Sequence, residues 1–299
     1  MKVRRTTQAL AAATLAMASA FGQAPPPTLP PPQLDQLTAR IALYPDPLIA
    51  QILAAATYPD QIGPAAMWAD QHHYLTGPAL ANAIQADMLP WDPSVQALLP
   101  FPSVLEMMAG DMNWTTQIGN AFLAQQPDVM DSIQRNRRKA YDFGYLRSNA
   151  QVMVGYGPYI TIAPINPGYV VVPYYDPAVV FFPPRPGFAV GAAISFGFGV
   201  NIGVAFRPWG WGVGRFDWGG HRVYINNAVW GRTWVNRGTY VHPYAGIRRP
   251  APGAVRPAEG HELHERSQGE REAARQGHAA PREEHRGAPP REERRGKEK

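Results

Sequence analysis

Apolar residues recur at helical spacing through the first half of the chain and at strand spacing through the second. Leu34, Leu37 and Ile41 share one helical face, and Leu48, Ile49, Ile52 and Leu53 continue the stripe after Asp46-Pro47. That step reads as an N-cap aspartate followed by a proline at the first helical position, where no amide hydrogen is needed. Asp92-Pro93 opens another helix with Val95, Leu98 and Leu99, and Ser103 to Glu106 has capping-box spacing. A longer helix is expected from Trp114 through Ile118, Phe122 and Leu123, interrupted at Pro127, with Val129, Met130 and Ile133 beyond it. Arg135, Arg137, Arg138 and Lys139 then suit a solvated helix C-terminus. Residues 46–53 and 92–99 are weak copies of each other, each followed by an aromatic-Pro step, Tyr58-Pro59 and Phe101-Pro102. Residues 34–148 thus read as one helical domain holding two related helix-turn-helix units.

Near Asn149 the period changes. Residues 152–155, 159–163, 169–172 and 179–182 are short β-rich runs punctuated by Gly157-Pro158, Asn166-Pro167-Gly168 and Asp176-Pro177. Residues 149–186 are therefore expected to form a small antiparallel sheet. Residues 188–206 carry no charge, with bulky side chains at most even positions and small or polar ones at the odd positions. This is a strand period, yet Gly191, Ser195, Gly199 and Gly203 also give the small-xxx-small spacing of packed helices. Strand, hairpin and membrane helix all stay open, with membrane association or self-assembly as the functional counterpart. Residues 187–247 form a Gly/Trp-rich region in which Asn226-Asn227 and Arg237-Gly238 are expected to turn short hairpins, the latter beside an alternating run at Trp234–Asn236.

The ends differ in kind. Lys2, Arg4 and Arg5 precede an apolar run, Ala9 to Ala18, too short to span a bilayer, and Ala18-Ser19-Ala20 is a small-x-small cleavage site with Ala24 as an alternative. Residues 1–20 read as a signal peptide and 21–33 as a stiff proline-rich linker. Residues 248–299 are a polyampholyte in which Pro281-Arg282-Glu283-Glu284 recurs as Pro290-Arg291-Glu292-Glu293, a composition expected to be disordered. The fold class expected is α+β: a helical domain, a small β and Gly/aromatic region, and a disordered tail.

Charge narrows the partners. The 299 residues carry a formal charge of +5, but residues 21–247 hold 12 basic and 13 acidic side chains, so the body has no field to steer a nucleic acid. There is no cysteine, which excludes disulfides, thiolate metal sites and cysteine nucleophiles. Export without cysteine suits a bacterial periplasm or outer envelope.

The stretch Ile41-Ala42-Leu43-Tyr44-Pro45-Asp46-Pro47-Leu48-Ile49-Ala50-Gln51-Ile52-Leu53, continuing to Tyr58-Pro59, resembles the signature of an exported bacterial family known as domain of unknown function 3300. Trp91 to Val95, Phe101 to Leu105 and Ala121 to Gln126 support it, and Val170-Val171-Val172-Pro173-Tyr174-Tyr175-Asp176-Pro177 resembles the family's second, β-rich signature. The resemblance covers roughly residues 34–215. It implies an exported, envelope-associated protein of a Gram-negative bacterium and brings no activity with it.

Catalytic chemistry needs nucleophile, base and oxyanion donors gathered together. His72 and His73 point to different helix faces, and His261-Glu262-Leu263-His264-Glu265 lacks metalloprotease spacing. Asp46, Asp92, Asp176 and Glu106 read as capping residues, and a hydrolase would need His221 or His242 beside Asp217. No catalytic, cofactor or metal residue is assigned. The reading is a non-enzymatic envelope protein whose partner is an envelope protein, the membrane or a wall polymer. The alternative is a peptidoglycan- or glycan-binding module that stacks sugars on Trp209, Trp211, Trp218, Trp230 and Trp234.

Overall fold

A computed structural model describes residues 24–187, 190–212 and 214–243. The expected signal peptide, the 248–299 tail and the His261–Glu265 cluster lie outside the described residues.

Prolines set the helix starts. The helices are α1 (Pro31–Thr38), α2 (Asp46–Ala56), α3 (Pro59–Gln71), α4 (Gly77–Ala86), α5 (Pro93–Gln96), α6 (Pro102–Gly110), α7 (Met112–Ala124) and α8 (Gln126–Asp142). All but α7 place proline in the first two positions, where its missing amide hydrogen costs nothing. The internal duplication is visible in the backbone. Tyr58 before Pro59 has φ −125° and ψ 58°, and Phe101 before Pro102 has φ −119° and ψ 69°. In each unit the proline bars the preceding aromatic from α geometry, and the chain turns there into the second helix. The first helices of the two units, α2 and α5, pack together, as do the second helices, α3 and α6.

Asp92 caps α5 as expected, accepting from the Ser94 amide at 3.0 Å. Asp46 does not cap. Pro45, extended at ψ 142°, takes the N-cap position of α2, and the Asp46 carboxylate is drawn inward to Arg137. Glu106 has no capping-box role either, because α6 starts at Pro102 from Phe101, with no side-chain cap. α7 crosses the end of α2 so closely that a Cβ on Gly119 would lie 2.0 Å from the Ala56 carbonyl oxygen.

The second half follows as β1 (Val152–Gly155), β2 (Thr161–Pro164), β3 (Tyr169–Val170), β4 (Pro173–Tyr175), α9 (Pro177–Val180), β5 (Ile194–Phe196), β6 (Val200–Asn201), β7 (Arg215–Asp217), β8 (Arg222–Ile225) and β9 (Ala228–Val229). Short 3₁₀ turns occupy Val190–Ala192 and Val204–Trp209. The single sheet expected over 149–186 is instead three small antiparallel pairs, β1 with β2, β3 with β6 and β4 with β5, and β7-β8-β9 form a further sheet where short hairpins were expected. The run at 179–182, read as a strand, begins in α9, because Asp176 caps Ala178 at 2.8 Å and Pro177 follows as it does at the other Asp-Pro helix starts. Asn226 and Asn227, at φ 49° and 63°, make the expected tight turn between β8 and β9. Trp234–Asn236 is a turn, not a strand, closed by the Asn236 side chain accepting from the Thr233 amide.

The helical and Gly/Trp-rich halves share one hydrophobic core, running from Leu34 to Trp230. The composition changes at 148 and 186 do not divide it into separate bodies, since β3 and β4 find their partners in the Gly-rich run. The molecule is an α+β protein.

Candidate functional site

The five tryptophans singled out as a glycan surface act mostly as anchors of the second layer. Trp209, Trp211, Trp218 and Trp230 are at most 7% exposed, and Trp234 is half-buried. Trp209 donates its indole N–H to Gln96 Oε1, and Trp211 to the Ala97 carbonyl, both at 2.8 Å. Trp230 stacks on Phe122 of α7 with ring centres 4.7 Å apart. These rings sit in the inter-layer core, so the four buried indoles offer no open face to a sugar.

The basic run of α8 is likewise spent on internal contacts. Arg137 is wholly buried and pairs with Asp46 at 2.6 Å. Its guanidinium donates to the carbonyls of Ala42, Ile160 and Tyr44 at 2.8, 2.8 and 3.0 Å and lies 5.0 Å over the Trp218 ring. Burial pushes the Asp46 carboxyl above its ordinary range, against the pull of Arg137. Arg135 and Lys139 pair with Asp35 of α1 at 2.8 and 3.1 Å, and Arg138 lies over Tyr156. The sequence signal for a solvated helix end misled because α1 packs along α8 and brings Asp35 to it.

The histidines are not gathered with Asp217. His221 pairs with Asp131 at 2.8 Å, His242 with Asp92 at 2.7 Å, and Asp217 accepts from the Gly220 amide. His72 stacks on Trp68 at 3.9 Å, while the exposed His73 contacts the Asp70 carbonyl oxygen. Among the described residues no three His, Asp or Glu side chains gather into a metal-holding group.

The Asp92–His242 pair closes a strap, residues 230–243, over the helical layer. Arg232 lies 3.7 Å over the Tyr58 ring and donates to the Thr57 carbonyl, and Trp234 N–H donates to the Leu123 carbonyl at 3.0 Å. Burial pushes the Asp92 carboxyl up, but His242 and the two Ser94 hydrogen bonds outweigh it and hold the carboxyl below its ordinary value. A carboxyl lowered on folding adds stability above the unfolded value and loses it as pH falls through the folded one. Asp92→Ala is therefore expected to cost about 2–4 kcal/mol near neutrality, cap and clasp together. In thermal unfolding the gap to wild type should close in acid; a gap independent of pH would contradict the clasp.

Exposed apolar side chains are scattered over the surface, and one group of exposed aromatics lies along a single ribbon. β3 and β4 run antiparallel to β6 and β5, with Tyr169 opposite Asn201, Val170 opposite Val200, and Pro173, Tyr174 and Tyr175 opposite Phe196, Ser195 and Ile194. Between these pairings Val171 and Val172 face Gly197, Phe198 and Gly199, so the outer strand carries one extra residue, a bulge. Phe198, in the bulge, is 99% exposed. The flanking glycines leave room for the tyrosines opposite, since a Cβ at either would lie a tight 3.3 Å from Tyr174 at Gly197 or Tyr169 at Gly199. Those tyrosines are themselves exposed, as are Phe182 and Val204. Gly191, Ser195, Gly199 and Gly203 share no helix face, because 188–206 folds, where described, as strands and 3₁₀ turns. Among the described residues no helix is long and apolar enough to cross a membrane.

Beside the ribbon lies a cleft of about 320 Å³. Pro173, Tyr174, Tyr175 and Pro177 wall it from the second half, and Arg40, Tyr44 and Met107 from the helical half. The two stretches that resemble family signatures therefore meet here, Tyr44 from one and Pro173 to Pro177 from the other. Tyr175 fixes the junction, its hydroxyl donating to the Ala39 carbonyl at 2.8 Å and accepting from the Leu43 amide at 3.3 Å.

The model of a family described as protein of unknown function DUF3300 matches residues 31–244. The chain belongs to the DUF3300 family. The match begins at the first residue of α1 and ends just beyond the last described residue, so the DUF3300 unit takes in both layers, the ribbon and the strap. An Escherichia coli K12 protein, "Uncharacterized protein YacH", is 33% identical over 218 residues, covering 58% of this chain. This chain covers 35% of that relative's length. No solved structure gives a significant match.

The cleft of this DUF3300 protein had no single-residue signal in the sequence. It arises where two distant stretches pack, and only the resemblance of both to one family marked them together. The ribbon was half legible. The alternating 188–206 run held a strand period beside a helical one, and the choice between them, the partners at 169–175 and the bulge at Phe198 needed the fold.

Proposed function

We propose that this DUF3300 protein is an exported, non-enzymatic component of the bacterial cell envelope, acting as an interaction module whose contact element is the 188–206 half of the ribbon. Its partner surface is the membrane, met by Phe198 with Val204 and the ribbon tyrosines. The observation that carries this reading is Phe198, wholly exposed in a bulge between two glycines and flanked by exposed Tyr169 and Tyr174. A scattered apolar side chain on a surface is ordinary, but three exposed aromatics in one short ribbon form the kind of patch that marks a contact site. Aromatic rings favour the boundary between headgroups and acyl chains. The basic end of the sequence and the uncharged 188–206 run support export and an apolar contact. The buried Arg137–Asp46 and Asp92–His242 pairs supply cohesion, and neither lines the cleft.

Co-sedimentation of the mature protein with phosphatidylethanolamine/phosphatidylglycerol vesicles tests this reading. Phe198→Glu should abolish vesicle binding while leaving the unfolding midpoint unchanged, since the ring contributes no burial to lose. Vesicle binding equal in wild type and Phe198→Glu, or none in either, would remove the membrane reading.

A further inference from the structure

We infer that the cleft between Arg40 and Tyr174 is a polyproline-binding site, and that its occupant is the proline-rich arm, residues 25–28, of a second copy of this chain. Polyproline offers carbonyl acceptors and apolar rings but no amide hydrogens. A site for it must therefore supply donors and flat apolar walls, as aromatic grooves for proline-rich segments do. The cleft has that complement. Pro173, Pro177, Met107 and the exposed Tyr174 give the walls. Arg40 carries only donors and is held in place without being enclosed. Asp111 grips it at 2.8 Å, the Trp114 ring lies 5.5 Å beneath, and 44% of the side chain stays exposed. The Tyr44 hydroxyl keeps its proton through the neutral range as any tyrosine does, and burial pushes it further up, to about 12. The wall does not need to rearrange, because Tyr175 is tied to Ala39 and Leu43 and meets the Tyr44 ring edge-on at 6.4 Å.

The chain itself holds a matching ligand. Pro25-Pro26-Pro27-Thr28-Leu29-Pro30 precedes α1, and Pro25, Pro27, Thr28 and Pro30 are exposed. Pro30, at φ −69° and ψ 159°, has polyproline geometry. The arm is also rooted. Gln125 accepts from the Leu29 amide at 2.7 Å and donates to the Leu29 carbonyl at 3.1 Å. A stiff arm rooted in this way loses little freedom on docking. The two hydrogen bonds fix the chain direction at Leu29, while Arg40 lies beyond the far end of α1, about 12 Å along the helix axis. This placement favours docking in trans, each copy giving its arm to the other in a closed two-fold exchange.

Sedimentation equilibrium of the mature full-length chain over a concentration series tests this. A reversible dimer is expected, weakened about tenfold or more by Tyr174→Ala or Arg40→Gln, as for residues central to an interface. Joint replacement of Pro25, Pro26 and Pro27 by glycine should weaken it equally. Tyr174, Arg40, Pro25 and Pro27 are exposed and Pro26 is only half-buried, so unfolding midpoints should stay close to wild type, which separates lost docking from lost folding. A synthetic peptide of residues 24–30 should bind the arm-replaced protein and fail to bind when Tyr174→Ala is added. A monomer at every concentration, or a dimer indifferent to both sets of variants, would overturn the inference. Peptide binding without dimerisation would overturn the second copy as occupant. Phe198→Glu should leave the dimer intact, so failure of the membrane reading and failure of this one are distinguishable.

Discussion

Arg137→Ala is expected to cost about 3–5 kcal/mol of stability, the range found when one partner of a buried ion pair is removed. For a body of this size that corresponds to a fall of roughly 10 °C in the unfolding midpoint. The guanidinium joins four parts of the chain: Ala42 and Tyr44 between α1 and α2, Asp46 at the start of α2, Ile160 before β2, and the Trp218 ring beyond β7. Its removal takes a donor from the Ala42 and Tyr44 carbonyls, while the Ile160 carbonyl keeps the Gln134 side chain at 3.0 Å, and each lost donor carries a desolvation penalty. The pH dependence has a definite sign. Burial already raises the Asp46 carboxyl, and without Arg137 it rises further. A carboxyl raised on folding loses stability as pH climbs from the unfolded value to the folded one. The deficit of Arg137→Ala should therefore be smaller at about pH 4.5 than at about pH 7.5 in thermal unfolding. Arg137→Lys should recover little, since one ammonium cannot reach three carbonyls and a carboxylate at once. A deficit under about 1 kcal/mol would show that the junction is not holding the layers together.

Gly119→Ala is the second large effect expected. A Cβ there would lie 2.0 Å from the Ala56 oxygen and 2.6 Å from its carbonyl carbon. Both are backbone atoms at the end of α2, so relief requires two helices to move apart in a packed core. Overpacking of this kind costs about 1–3 kcal/mol, and the direct backbone clash places Gly119→Ala at or above the top of that range. Denaturant unfolding should show a lower midpoint with an unchanged slope. Gly110→Ala, where nothing lies within 4 Å of the added methyl and no proline follows, should be neutral or slightly stabilising and serves as the control.

The helical half was largely legible in the sequence because its signals are local. Proline at helix starts, Asp92 as a cap and the aromatic-Pro repeat each act within a few residues, and each reappears in the backbone. Local signals failed where a distant partner competed. Asp46 has the sequence of a cap and the environment of a buried ion pair, because α8 passes beside it. Arg137 has the position of a solvated helix end and is wholly buried, because the second layer covers it. The five tryptophans were conspicuous as a composition, but composition does not say which face a ring presents. Four of them close against α2, α5 and α7 or over Arg137. The β pairings 169–170 with 200–201 and 173–175 with 194–196 span a connection containing α9, so no turn signal could announce them. The cleft is the extreme case, since Tyr44 and Tyr174, more than a hundred positions apart, shared in the sequence only the family resemblance of the stretches that hold them.

The central claim is that the exposed ribbon, with Phe198 at its bulge, holds the exported protein to the envelope. Deleting 188–206 would not test it cleanly, because the deletion removes β5 and β6 and leaves β3 and β4 without partners. The direct measurement is the distribution of the mature wild-type and Phe198→Glu proteins between soluble and membrane fractions of a Gram-negative cell after a carbonate wash. The account predicts that wild type stays with the membranes and Phe198→Glu, equally stable and equally exported, moves to the soluble fraction. Wild type recovered in the soluble fraction, or both proteins retained alike, would contradict it.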